Sequence, residues 1–158
     1  MVFIFYLILN LFAGFFFFKF QKKHIHPLEI FMLWLVSTIL FQNYSALLYM
    51  NLRLLNIPDV LSLQLTHFMN RTILIPLMAL IFFNQYILIK SFVLRLVWIL
   101  SFVLLLTGME KLADFFGVLN HMHMSFWWVG GFWFIFILLL IVTMKFFRNS
   151  LIKKVGRA

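Results

Sequence analysis

His67, Asn70 and Arg71 stand three and four residues apart in the stretch QLTHFMNRTILIP, and Asp59, Ser62 and Thr66 share their helical face. An imidazole, an amide and a guanidinium on one stripe can hold a proton or an anion. The residues around them are apolar, which makes the stripe expensive. An arginine deep in hydrocarbon costs about 2.5–3.5 kcal/mol on insertion scales. Arg71 is therefore expected to face protein and to meet a carboxylate. Glu110 is the expected partner, with Asp114 one turn further out on the same face. Such a pair at ~4 Å attracts by about 4 kcal/mol at an effective dielectric of 20 before desolvation is subtracted, so it would fix register more than it would stabilise. Gln42 and Asn43 fall at similar depth in another apolar run. The expectation is one outward-facing ligand pocket formed by Gln42, Asn43, His67, Asn70, Arg71 and Glu110. Ordinary interhelical hydrogen bonding, well under ~2 kcal/mol per bond, is the competing explanation.

Other chemistry is largely excluded. Cysteine is absent, which removes disulfides, thiolate metal sites and cysteine nucleophiles. His24 and His26 lie among lysines in what reads as a solvated loop. His121 and His123, in NHMHM, are two convincing ligands where zinc requires three or four, so no metal is expected. No GxSxG, HExxH, P-loop or glycine-rich nucleotide motif occurs, and neither catalytic residues nor a cofactor are assigned. Glu110 with His67 could in principle move a proton, although many membrane bundles offer such a pair by chance.

The elements that must position these residues follow from composition. Hydrophobic residues make up 65% of the 158 positions and charged residues 11%, against about 25% charged in soluble domains. That much apolar surface calls for a bilayer as solvent. A helical span needs roughly 20 apolar residues. Spans are expected at about 1–18, 28–50, 59–83, 91–112 and 125–147. Pro27 and Pro58-Asp59 read as helix openings, and Pro76 as the site of a kink in the long third span. Residues 59–70 could instead lie on the membrane surface, but the span left after them would be short. Trp127, Trp128 and Trp133 read as an interfacial belt, and Gly130-Gly131 as a place of close helix packing. The runs are continuous rather than alternating, which excludes a β-barrel pattern.

The fold class expected is thus all-α: an integral membrane bundle of five transmembrane helices in a single domain, residues 1–148, followed by a basic tail, 149–158. The first span carries its positive charges after it, at Lys19, Lys22 and Lys23, as a retained anchor does and a cleaved signal does not. With the N-terminus outside and the C-terminus cytoplasmic, the cytoplasmic segments hold Lys19, Lys22, Lys23, Lys90, Arg95, Lys145, Arg148, Lys153, Lys154 and Arg157. The outer segments hold only Arg53, Arg71 and Lys111. The net charge of +9 is accounted for by this topology and by anionic lipid at the cytoplasmic segments, with no nucleic acid as partner.

The stretch GMEKLADFFGVLNHMHMSFWWVGGFWF, with a Glu ending one span, a Gly-x-Leu soon after it and Trp opening the last span, resembles small multi-pass membrane proteins common in spore-forming Firmicutes. HFMNRTILIPLMALIFFNQY is similar to that family's proline-bearing span ending in Asn plus an aromatic. The resemblance covers residues 28–148 and places Pro76, Glu110, Gly117 and Trp127 as pattern positions. It implies a bacterial plasma membrane and assigns no activity. The function expected is a non-enzymatic accessory or scaffold subunit, with a membrane-protein partner or a second copy of the chain. The alternative is a binding or transport protein using the polar pocket around Arg71 and Glu110.

Overall fold

The computed structural model describes residues 1–20, 24–122 and 125–155. Five helices among them are long and apolar enough to cross a membrane. Helix α1 is Val2–Phe15, extended by a wide π turn over Phe16–Phe20, and α2 is Pro27–Ala46, extended likewise over Leu47–Asn51. Helix α3 runs without a break over Leu61–Tyr86, α4 is Phe92–Phe115 and α5 is Phe126–Val155. A helix covers each of the five expected segments, with bounds shifted by a few residues. The largest shift is at α5, whose helix continues into the basic tail.

Each helix buries one stripe at helical spacing. In α1 it is Tyr6, Asn10, Ala13 and Phe17; in α2 it is Glu29, Leu33, Ser37, Phe41 and Ser45; in α5 it is Val129, Trp133, Phe136, Ile137, Leu140 and Met144. The outward faces are apolar instead of polar: Val93, Leu94, Val97, Leu100 and Leu104 of α4 are all exposed. This inverts the pattern of a water-soluble bundle and is what a lipid solvent permits. Helix α3 is the central rod. It is 56% buried over its apolar window, against 22–33% for the others.

Helix α3 starts at Leu61, with Val60 extended as its cap and Asp59 outside it. Where a kink was expected at Pro76, the helix is continuous and a π turn, Asn70–Leu74, lies just before the proline. Pro76 offers no N–H and its ring crowds the preceding carbonyls, so the helix widens by one residue rather than breaking. The continuity of α3 disfavours a separate surface helix over 59–70.

Two ends of the bundle differ. At the Met1 end, the connections α2–α3 and α4–α5 pair as a short antiparallel ladder, β1 (Leu55–Asn56) with β2 (Asn120–His121), Leu55 facing His121 and Asn56 facing Asn120. The Met122 N–H adds a bond to the Leu54 carbonyl at 2.8 Å. At the opposite, basic end, His26 and Glu29 form a capping box on α2. There the His24 N–H donates to Asn84 Oδ1 at 2.8 Å, so this loop is anchored to α3.

The aromatic expectations divide. Trp127 and Trp128 are exposed at the Met1 end, but Trp133 is fully buried, one turn deeper, and stacks on Phe41 with centroids 5.2 Å apart. A Cβ added at Gly130 would meet Thr107 at an ordinary 3.8 Å, and one at Gly131 would meet nothing. Close helix packing is therefore not what places the glycine pair.

Candidate functional site

The polar site is organised by Glu110 rather than by Arg71. Glu110 lies on the inner stripe of α4, 6% exposed. Its Oε2 accepts the indole N–H of Trp133 at 2.6 Å, and its Oε1 lies 2.9 Å from His121 Nε2. The other His121 nitrogen, Nδ1, is 3.3 Å from Asp114 Oδ2, and the His121 backbone N–H donates to Asp114 Oδ1 at 3.0 Å. Lys111 pairs with Asp114 at 3.4 Å. A buried carboxylate needs its oxygens met by donors, and here an indole and an imidazole meet them.

The chain turn that delivers His121 is built at the end of α4. The Gly117 N–H bonds to the Asp114 carbonyl and the Val118 N–H to the Ala113 carbonyl, both at 2.9 Å, while Gly117 sits at φ +67°. This is the Schellman closure, in which a left-handed residue reverses the chain and satisfies the last carbonyls. Val118 and Leu119 then fold back into the core, both at or below 4% exposure. The ladder with Leu55–Asn56 completes a lid over the Met1 end.

Beneath the lid is a cavity of about 30 Å³ lined by Tyr6, Phe41, His67, Asn70, Glu110 and Trp133 among others. About 10–15 Å³ accommodates one water, so the space suits one or two small polar molecules. The Tyr6 hydroxyl, His67 Nε2 and Asn70 Oδ1 are buried and bond to no protein group. Three expected residues, His67, Asn70 and Glu110, thus converge here. Tyr6 was not anticipated, and Trp133 was expected at an interface.

Arg71 lies elsewhere. With Tyr49, Ile57, Gln64, His67 and Phe68 it lines a second, more open cavity of about 230 Å³. Its guanidinium carbon stands 5.7 Å from the centre of the Phe68 ring. Its Nε is buried without a hydrogen-bond partner, and among the described residues no carboxylate pairs with it. The expected Arg71–Glu110 pair does not form: His121 and Trp133 meet the carboxylate, and Arg71 lines a cavity that Glu110 does not reach. His67 lines both cavities.

Gln42 and Asn43 take no part. Both are exposed on the outer face of α2, and the Asn43 amide donates to the Ile39 carbonyl at 2.9 Å. Their position follows from the α2 stripe, which places Phe41 and Ser45 inward. His123 lies outside the described residues. Among the described residues no group of three or more His, Asp or Glu side chains is placed to hold a metal ion.

Sequence reasoning also missed an ion pair at the basic end. Glu29, 2% exposed, accepts Arg148 Nε at 2.8 Å and Nη2 at 3.2 Å, while its Oε2 also accepts the His26 N–H at 2.8 Å. One carboxylate caps α2 and ties it to α5. The signal available was the His26-to-Glu29 spacing of a capping box.

No protein-family model, no curated protein and no solved structure matches this chain.

Proposed function

We propose that the chain is a non-enzymatic multi-pass protein of a bacterial plasma membrane, N-terminus outside, that binds the anionic group of a small amphiphile in the Arg71 cavity. The observation supporting this is a guanidinium without a carboxylate partner among the described residues, beside an open space of about 230 Å³. Its Nε is buried and its guanidinium carbon lies 5.7 Å from the Phe68 ring centre, and a partly desolvated guanidinium attracts an anion more strongly than a fully solvated one does. Its planar fork suits a carboxylate or a phosphate. Gln64 and Tyr49 offer further polar contacts, and Ile57 and Phe68 an apolar wall. The orientation rests on the bias of Lys and Arg toward the opposite end.

The test is binding of a long-chain fatty carboxylate to the chain in lipid nanodiscs. Arg71→Gln is expected to weaken it at least tenfold while leaving the fold intact. Equal binding by both proteins removes the reading.

An accessory or scaffold role is the second reading. It is favoured by a lateral apolar groove of about 480 Å³ between α2 and α5, lined by Leu48, Leu54, Trp128, Phe132 and Ile135. Crosslinking in native membranes tests it, and a chain always recovered alone counts against it.

A further inference from the structure

The basic end carries a second cleft, between α3, α4 and α5, with a volume of about 160 Å³. Phe83, Ile87, Ile141 and Met144 form its apolar walls, and Arg95, Lys145 and Arg148 its charged lining; among the described residues no carboxylate lines it. Lys145 and Arg148 are three residues apart on α5 and share a face. Arg95 comes from the first turns of α4. Its Nε donates to the Ile89 carbonyl at 2.6 Å, and its guanidinium carbon stands 5.6 Å from the Tyr86 ring centre. Arg148 is held from behind by Glu29 through two hydrogen bonds. An arginine carries five N–H donors, so both guanidinium groups are fixed in place with donors to spare. Glu29 offsets one of the three positive charges and leaves an excess of two.

Fixed cations above apolar walls, at the ends of hydrophobic helices, match an amphiphile whose phosphate lies at the membrane surface and whose acyl chains descend beside the protein. We infer that this cleft is a site for the phosphate of an anionic phospholipid. It is separate from the Arg71 cavity, shares no residue with it and does not depend on it.

The experiment is native mass spectrometry of the detergent-purified chain with phosphatidylglycerol or phosphatidylcholine, together with thermal unfolding in each lipid. Two double variants are compared. Arg95→Gln with Lys145→Gln removes two charges from the cleft. Lys19→Gln with Lys90→Gln removes two exposed charges at the same end outside it. The wild type and the second variant are expected to retain phosphatidylglycerol in preference to phosphatidylcholine, and the first variant to lose at least fivefold of that retention. Lys145→Gln alone preserves the Arg95–Ile89 bond and is expected to lose part of it. Equal losses in the two double variants, absence of a headgroup preference in the wild type, or unchanged retention in Lys145→Gln would each overturn the site. Equal stabilisation by inorganic phosphate alone would reassign it to a free anion.

Discussion

Trp133 donates its indole N–H to Glu110 at 2.6 Å inside the bundle, joining α5 to α4 across 23 residues of sequence. Hydrogen bonds to charged groups contribute about 1.5–3 kcal/mol. Trp133→Phe preserves much of the stacking on Phe41 but leaves one carboxylate oxygen unmet. It is expected to destabilise the protein by about 2 kcal/mol, measured by unfolding in mixed micelles. In combination with Glu110→Gln the loss should be smaller than the sum of the single losses, since the two groups share one bond. Additive losses would show that the bond is not what the substitutions remove.

The Glu29–Arg148 pair should behave asymmetrically. Glu29 is buried and Arg148 is about one-third exposed, with side-chain values of 3% and 34%. Arg148→Ala strands a buried carboxylate and is expected to cost about 2–3 kcal/mol, below the 3–5 of a fully buried pair. Arg148→Lys keeps the charge but not the two-pronged geometry and should recover less than half of this. A lysine variant as stable as the wild type would contradict the importance of that geometry.

Gly117→Ala tests the lid. At φ +67° an alanine is strained by roughly 1–2 kcal/mol, although nothing lies within 4 Å of the added carbon. The expected signature is faster amide hydrogen exchange at Val118, Leu119 and His121, with the middle of α3 unchanged. Uniform acceleration across all helices would mean that the turn is not a local device.

Gln42→Leu and Asn43→Leu are expected to alter stability by less than about 0.5 kcal/mol and to leave fatty-carboxylate binding intact. Both side chains lie on the outer surface of α2. A tenfold loss of binding in either variant would return them to the site.

Apolar run length and charge placement made the five helices legible, because a lipid-facing helix must be long and nearly uncharged wherever it lies in the bundle. The same uniformity hid the faces. With apolar residues all round α2, no hydrophobic stripe marked its inner side, and Gln42 and Asn43 were assigned by depth alone. Arg71 was read as sharing the face of His67. It does line a cavity with His67, but not the one that Glu110 lines, and spacing within one helix does not say which flank of a polar face a neighbouring helix will meet. Glu110 was recognised as buried and paired, but its partners lie far along the chain. His121 arrives through a loop reversal, and Trp133 sits at a depth that resembled an interface. Non-local partners of this kind are decided by packing, which spacing within one helix does not encode.

The two-residue ladder between Leu55–Asn56 and Asn120–His121 ties together the connections of four helices. Strain applied to either loop therefore reaches the imidazole that contacts Glu110, whereas the connection from Ile87 to Ser91 at the other pole has no such mechanical link to it. A reporter peptide inserted at that second connection is expected to leave amide exchange at His121 unchanged, and the same insertion beside Asn56 to accelerate it.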